Sequence, residues 1–153
     1  MRKLSAFVLV GVLGCAHQDE SMSAPLKVRI DIQEPSRKDM VLEAADKWNA
    51  FSLKPIQIVD KGPVDYSVES LDPPEGYDGW TCRDGFDKQG TISVRTGVPD
   101  WRVFWIMLHE FGHGLGLGHT HQGIMCGVPY RCEFTDGFSD EDVVEMKRAG
   151  VYR

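Results

Sequence analysis

The chain has 153 residues, a formal net charge of −6 and a hydrophobic fraction of 42%. This length is that of one domain with one sizeable core, and leaves little room for a second domain. The acidic balance argues against a nucleic-acid-binding protein, because such proteins present basic patches to phosphate groups.

The first residues have the pattern of an export signal. A short basic start, residues 1–3, precedes an apolar run over residues 4–13 that is too short to cross a bilayer as a helix. The run ends in VLGC, which resembles the lipobox of bacterial lipoproteins and would make Cys15 the lipidated residue. An ordinary cleaved signal that ends near Ala16 is the alternative.

The signal divides the chain and indicates its destination. We expect export, either to the bacterial cell envelope as a lipoprotein or by secretion, with membrane contact through the lipid anchor only. Export also permits disulfides. Three pairings of the remaining cysteines are open, and the pair that closes the shortest loop, Cys126 with Cys132, is favoured over the pairings with Cys82. The expected segments are a signal peptide (1–14), Cys15 with a tether (15–25) and one folded domain (26–153).

Strand-like and helix-like stretches alternate in the first half of the domain. Residues 26–32 alternate apolar and charged side chains, which predicts a strand. Ser36 and Asp39 fit a capping box that opens a helix to about Phe51. Its apolar positions fall on one face: Val41, Ala44, Ala45 and Trp48. Further strands are predicted at 56–59, 66–70 and 91–96, and a loop rich in Pro, Gly and Asp at 72–89.

The second half is dominated by helices. Asp100 is the predicted N-cap of a helix that runs from 101 to about 114. Residues 116–138 show no periodicity. Ser139 and Asp142 form a second capping box, which opens a last helix to Ala149. This order predicts an α+β fold with one mixed sheet.

A histidine cluster lies where the second helix ends. Residues 109–119 read HEFGHGLGLGH. His109 and His113 are about one turn apart, so they share a helix face and can bind one ion. Gly116 can adopt the positive φ that reverses the chain and returns His119 as a third ligand. Three neutral nitrogens leave one position open, as in catalytic zinc sites. Glu110 is then the candidate general base, which takes a proton from a metal-activated water.

The same residues carry a family resemblance. HExxHxxGxxH is the metzincin signature, and its short glycine-rich form here is similar to that of the matrixins, the matrix-metalloprotease-like branch. The resemblance implies a metzincin-like (zincin) fold with a mixed twisted sheet, an active-site helix, a Met-turn and a C-terminal helix. It also implies Met125 as the Met-turn residue and Pro129 with Tyr130 as a wall of the S1′ pocket. Asp142 either supports the Met-turn or only caps its helix.

The resemblance implies a zinc-dependent endopeptidase, monomeric and acting on protein or peptide substrates, with Zn²⁺ bound by His109, His113 and His119. The substrate would lie extended along an edge strand, with Trp80 as a candidate rim. Residues 84–87 offer carboxylates for structural calcium, although the spacing of an EF-hand is absent. His121 either hydrogen-bonds substrate or lies at the surface, and the surface position is favoured. The alternative function is a non-catalytic, zinc-stabilised surface lipoprotein that binds a partner; Glu110 argues against it, because a structural site gains nothing from that carboxylate.

Overall fold

A computed structural model describes residues 24–83, 88–127 and 137–153. The predictions for the signal peptide, Cys15, Cys132, Pro129, Tyr130 and the calcium segment lie outside these residues. The elements are β1 (Leu26–Ile30), α1 (Pro35–Phe51), β2 (Ile56–Ile58), β3 (Tyr66–Ser70), β4 (Gly79–Cys82), β5 (Gly90–Val94), α2 (Asp100–Gly114) and α3 (Asp140–Arg148).

The five strands form one mixed sheet in the order β2-β1-β3-β5-β4. All neighbours are parallel except β4, which runs antiparallel to β5 with Thr81 opposite Ile92. The predicted α+β class with one mixed sheet is therefore confirmed. The two edge strands are β2 and β4.

Helices α1 and α2 pack against each other and form much of the core with the sheet. The predicted apolar face of α1 is buried at all four positions. Trp48 is fully buried, and its indole N–H donates to the carbonyl of Leu108 in α2 at 2.9 Å. Burying one large apolar side chain contributes about 1.5–3 kcal/mol. A buried indole N–H without a partner would lower stability. Because this N–H is bonded, Trp48 stabilises the contact between α1 and α2.

Two of the three predicted helix starts are wrong by a residue or two. Helix α1 begins at Pro35 after Glu34, which makes no side-chain cap, so the Ser36–Asp39 capping box does not form. Proline is favoured in the first turn because its φ is preset and its missing N–H would have no helical partner. Asp100 is likewise the first helical residue of α2 and not its N-cap, which is Pro99.

The predicted loop over residues 72–89 contains β4, so that prediction is wrong there. The strand has only four residues, begins with glycine and lies among loop-forming residues, which hides its period. The ends of β1 and β5 also differ by one or two residues from the prediction. Within the described parts of the chain, no helix is long and apolar enough to cross a membrane.

Candidate metal centre

The chain reverses directly after helix α2. Helix α2 ends at Gly114, and Gly116 has a φ of +93°, as expected for the residue that breaks the helix. The N–H of Leu117 then donates back to the carbonyl of Gly112 at 2.9 Å. This turn brings His119 alongside the two histidines of α2.

The three imidazoles meet at their Nε2 atoms. Nε2 of His113 lies 3.1 Å from Nε2 of His109 and 3.1 Å from Nε2 of His119. Potential ligand atoms of all three residues lie within 4.8 Å of one another. Ligands bonded to zinc at about 2.0–2.1 Å in a tetrahedron lie about 3.3 Å apart, so the observed spacing fits such an ion.

Backbone carbonyls that contact Nδ1 fix the tautomers of His109 and His113. Nδ1 of His109 lies 2.8 Å from the carbonyl oxygen of Ile124, and Nδ1 of His113 lies 3.0 Å from that of Leu117. A carbonyl only accepts, so each Nδ1 carries the proton and each Nε2 presents a lone pair. Two lone pairs cannot hydrogen-bond to each other, so the cluster is suited to a cation.

Burial favours the metal-binding form of the cluster. It lowers the pKa of His109 to about 4, and it lowers the pKa of His119 as well. Both imidazoles are therefore neutral near pH 7. Neutral imidazole is the form that coordinates metals.

The loop after His119 packs against helix α2 and the ring of His119. Met125 is fully buried, and a Cβ at Gly112 would collide with its sulfur, so this loop and α2 are in close contact. The N–H of Thr120 donates to the carbonyl of Met125 at 2.8 Å. Gly127 lies against the ring of His119. Cys126 is disulfide-bonded, but its partner lies outside the described residues, so the pairing stays a prediction.

Asp142 joins this loop to α3. Its carboxylate is fully buried and accepts from two backbone N–H groups of the loop, Ile124 at 2.8 Å and Met125 at 3.0 Å. It also accepts from the hydroxyl of Thr120 at 3.3 Å and from the N–H of Ser139 at 2.9 Å. The predicted capping box is confirmed. Asp142 therefore does both things that the sequence left as alternatives: it caps its helix and supports the loop.

Glu110 is buried against β4. The hydroxyl of Thr81 donates to its Oε2 at 2.6 Å, and its Oε1 lies beside Gly79, where a Cβ would come within 2.8 Å. Burial raises the pKa of Glu110 to about 7, although the Thr81 hydrogen bond opposes the rise. Thr81 was not among the residues predicted for the site.

Two of the remaining candidates, His121 and Trp80, lie within the described residues. His121 has a side chain 97% exposed and lies 3.4 Å from a carboxylate oxygen of Glu141, as expected for a surface residue. Trp80 lies on edge strand β4, and its ring packs on Tyr77 with centroids 5.1 Å apart. Pro129 and Tyr130 stay predictions.

The mixed sheet, helix α2 and the histidine cluster define an α+β fold with a site that could hold a metal ion. Among solved structures, the chain is similar to two structures of myroilysin, each at 17% identity. One superposes with a TM-score of 0.52 over 71% of this chain and 49% of that chain, and the other with 0.47 over 70% and 47%. The chain thus spans about half the length of the myroilysin structures. No family model and no curated protein matches the sequence.

Proposed function

We propose that this protein is a zinc-dependent endopeptidase of the metzincin type, similar to the matrixins. The observation that carries the proposal is that Nε2 of His113 lies 3.1 Å from Nε2 of both His109 and His119, with the Nδ1 atoms of His109 and His113 held by backbone carbonyls. Carbonyl groups behind metal-binding histidines are a common supporting arrangement, because they fix ring orientation and tautomer.

The donor set is appropriate for zinc, which takes three histidine nitrogens in many catalytic sites. A zinc ion held by His109, His113 and His119 would act as a Lewis acid and lower the pKa of a water to about 7. Glu110 would accept the proton that the attacking water loses. It would pass that proton to the amine as the carbon–nitrogen bond breaks.

Strand β4 supports an extended peptide as the substrate. Among the described residues it pairs with β5 alone, so one edge is available for an added strand. Thr81 and Gly79 face α2, whereas Trp80 and Cys82 face outward and are exposed. A peptide paired with β4 would therefore lie on the strand that contacts Glu110.

Zinc content and cleavage test the proposal together. We expect one equivalent of zinc, cleavage of casein or of a peptide library, and loss of cleavage with a chelator. Glu110→Gln should bind zinc but cut about a hundredfold to ten-thousandfold more slowly, which is the range that general-base catalysis contributes. Glu43→Gln, an exposed site on α1, is the matched control and should keep full activity.

A zinc-loaded protein that cuts no peptide would contradict the proposal and favour a non-catalytic binding protein. Cleavage that survives in Glu110→Gln would remove Glu110 from its role. We also propose Met125 as the Met-turn residue and Pro129 and Tyr130 as the S1′ wall. Exchanging Tyr130 for alanine should change the preferred residue after the cleaved bond, and an unchanged cleavage profile would count against that assignment.

We propose in addition that the protein is exported and anchored through lipid on Cys15. Labelling of growing cells with a radioactive fatty acid should tag the wild-type protein. Cys15→Ser should lose the label and appear outside the cells. Equal labelling of both proteins would exclude Cys15 as the attachment site.

A further inference from the structure

We infer that Thr81 is a positioning residue, whose hydroxyl holds the Glu110 carboxylate in place on edge strand β4. The inference rests on the proposed peptidase function, and it assigns a role to a strand residue outside the histidine motif.

The contact has the geometry of a strong hydrogen bond. Oγ1 of Thr81 lies 2.6 Å from Oε2 of Glu110, within the range typical of a hydroxyl that donates to an ionised carboxylate. The same hydroxyl lies 3.2 Å from the backbone carbonyl of Glu110. One proton serves the shorter contact, so the side-chain bond dominates. A donor at this point fixes Oε2 and, with it, the orientation of the carboxylate.

The neighbouring strand residue constrains the other carboxylate oxygen. Gly79 lies two residues before Thr81 on the same face of β4, and a Cβ there would meet Oε1 of Glu110 at 2.8 Å. On the face of β4 that meets α2, Gly79 therefore leaves space for the carboxylate and Thr81 donates a hydrogen bond to it. Glu110 is buried between them at 6% exposure, where few water molecules can replace a lost partner.

This arrangement couples the base to the strand on which substrate is expected to lie. Thr81 belongs to β4 through its pairing with Ile92, so its hydroxyl has a fixed position in the sheet. Any peptide added to the open edge of β4 takes its register from that strand. The hydroxyl thus aligns Glu110 with the peptide bond of a substrate. Its removal should therefore lower kcat and leave KM nearly unchanged.

Three variants test the role. Thr81→Val keeps the side-chain shape and the strand preference but removes the hydroxyl. We expect kcat to fall about tenfold to a hundredfold with KM within about threefold, because a buried hydrogen bond to a charge is lost. Thr81→Ser restores the hydroxyl and should recover kcat to within a few-fold. Thr91→Val is the same substitution on the neighbouring strand β5. Because the side chains of Thr91 and Ile92 lie on different faces of the sheet, this variant should leave kcat unchanged.

An infrared measurement separates this inference from the proposed function. The carboxylate stretching band of Glu110, taken as the difference between wild type and Glu110→Gln, should shift in Thr81→Val and return in Thr81→Ser. A shifted band with a lower kcat, rescued by serine, supports the inference. An unchanged band overturns it, as does Thr81→Val activity within twofold of wild type. If the wild-type protein cuts no peptide, the proposed function fails, and the band alone still decides whether Thr81 holds the carboxylate.

Discussion

Replacing Asp142 by asparagine should destabilise the protein far more than its position near the end of the chain suggests. The carboxylate accepts four hydrogen bonds, three of them from backbone N–H groups. An asparagine has one acceptor oxygen, so its NH₂ group must face the donors on the other side. If the NH₂ group lies toward Met125 and Thr120, it faces the N–H of Met125, which then has no acceptor. The hydroxyl of Thr120 can rotate and accept a hydrogen bond from the NH₂ group.

The magnitude follows from the lost bonds. A hydrogen bond to a charged group contributes about 1.5–3 kcal/mol, and a buried N–H without a partner costs about 1–3 kcal/mol. We therefore expect Asp142→Asn to lower the free energy of unfolding by about 3 kcal/mol. That is a large fraction of the roughly 5–15 kcal/mol typical of a domain. The loop that loses the Met125 bond also contains Ile124, whose carbonyl orients His109, so zinc affinity should fall about tenfold.

Urea unfolding followed by fluorescence measures the first quantity, and competition with a chelating dye measures the second. Asp140→Asn is the matched control, since Asp140 is exposed in the first turn of the same helix. Its loss should cost about 0.3–1 kcal/mol through the helix dipole. If the two variants differ by less than about 1 kcal/mol, the buried network does not stabilise the loop as argued.

Three further changes have defined outcomes. Gly112→Ala should cost about 1–3 kcal/mol in thermal unfolding, because its Cβ would collide with the sulfur of Met125; full stability would show that the loop can move away. Gly116→Ala should cost about 1 kcal/mol from its φ of +93° alone, since no atom lies near its Cβ, whereas Gly97→Ala, equally open but without a positive φ, should be close to neutral. In metal-free protein, Glu110 has a folded pKa of about 7, raised from 4.5, so its contribution to stability is present below about pH 4.5 and is lost as the pH rises through 7. Wild type should lose up to about 3 kcal/mol between about pH 5 and pH 8 relative to Glu110→Gln, and parallel pH profiles of the two proteins would contradict the burial argument.

The sequence predicted the parts of the fold that depend on local periodicity. Helix α1 follows from the spacing of its apolar face, and β1 from the alternation that begins at Leu26. The four residues of β4 give too short a pattern to distinguish a strand from the surrounding loop, because the strand is stabilised by pairing with β5 and not by its own propensity.

The candidate site likewise contains residues that follow from a local pattern and residues that do not. The spacing of His109, His113 and His119 within eleven residues is local information, so the amino-acid sequence alone predicts the cluster. Thr81 meets Glu110 across 29 residues of chain, and Asp142 meets Ile124 across 18. Both partners are selected by tertiary packing. The family resemblance indicated Asp142 as a candidate, whereas nothing in the sequence indicated Thr81.

The close packing of α2 has a consequence for motion. Gly112 lies against the loop under the cluster and Trp48 of α1, and Gly114 lies against Leu26 of β1. A helix seated this tightly on several neighbours cannot slide or rotate as a rigid body without overlap. Any opening or closing of the site must therefore come from segments other than the helix, while His109, Glu110 and His113 keep their places.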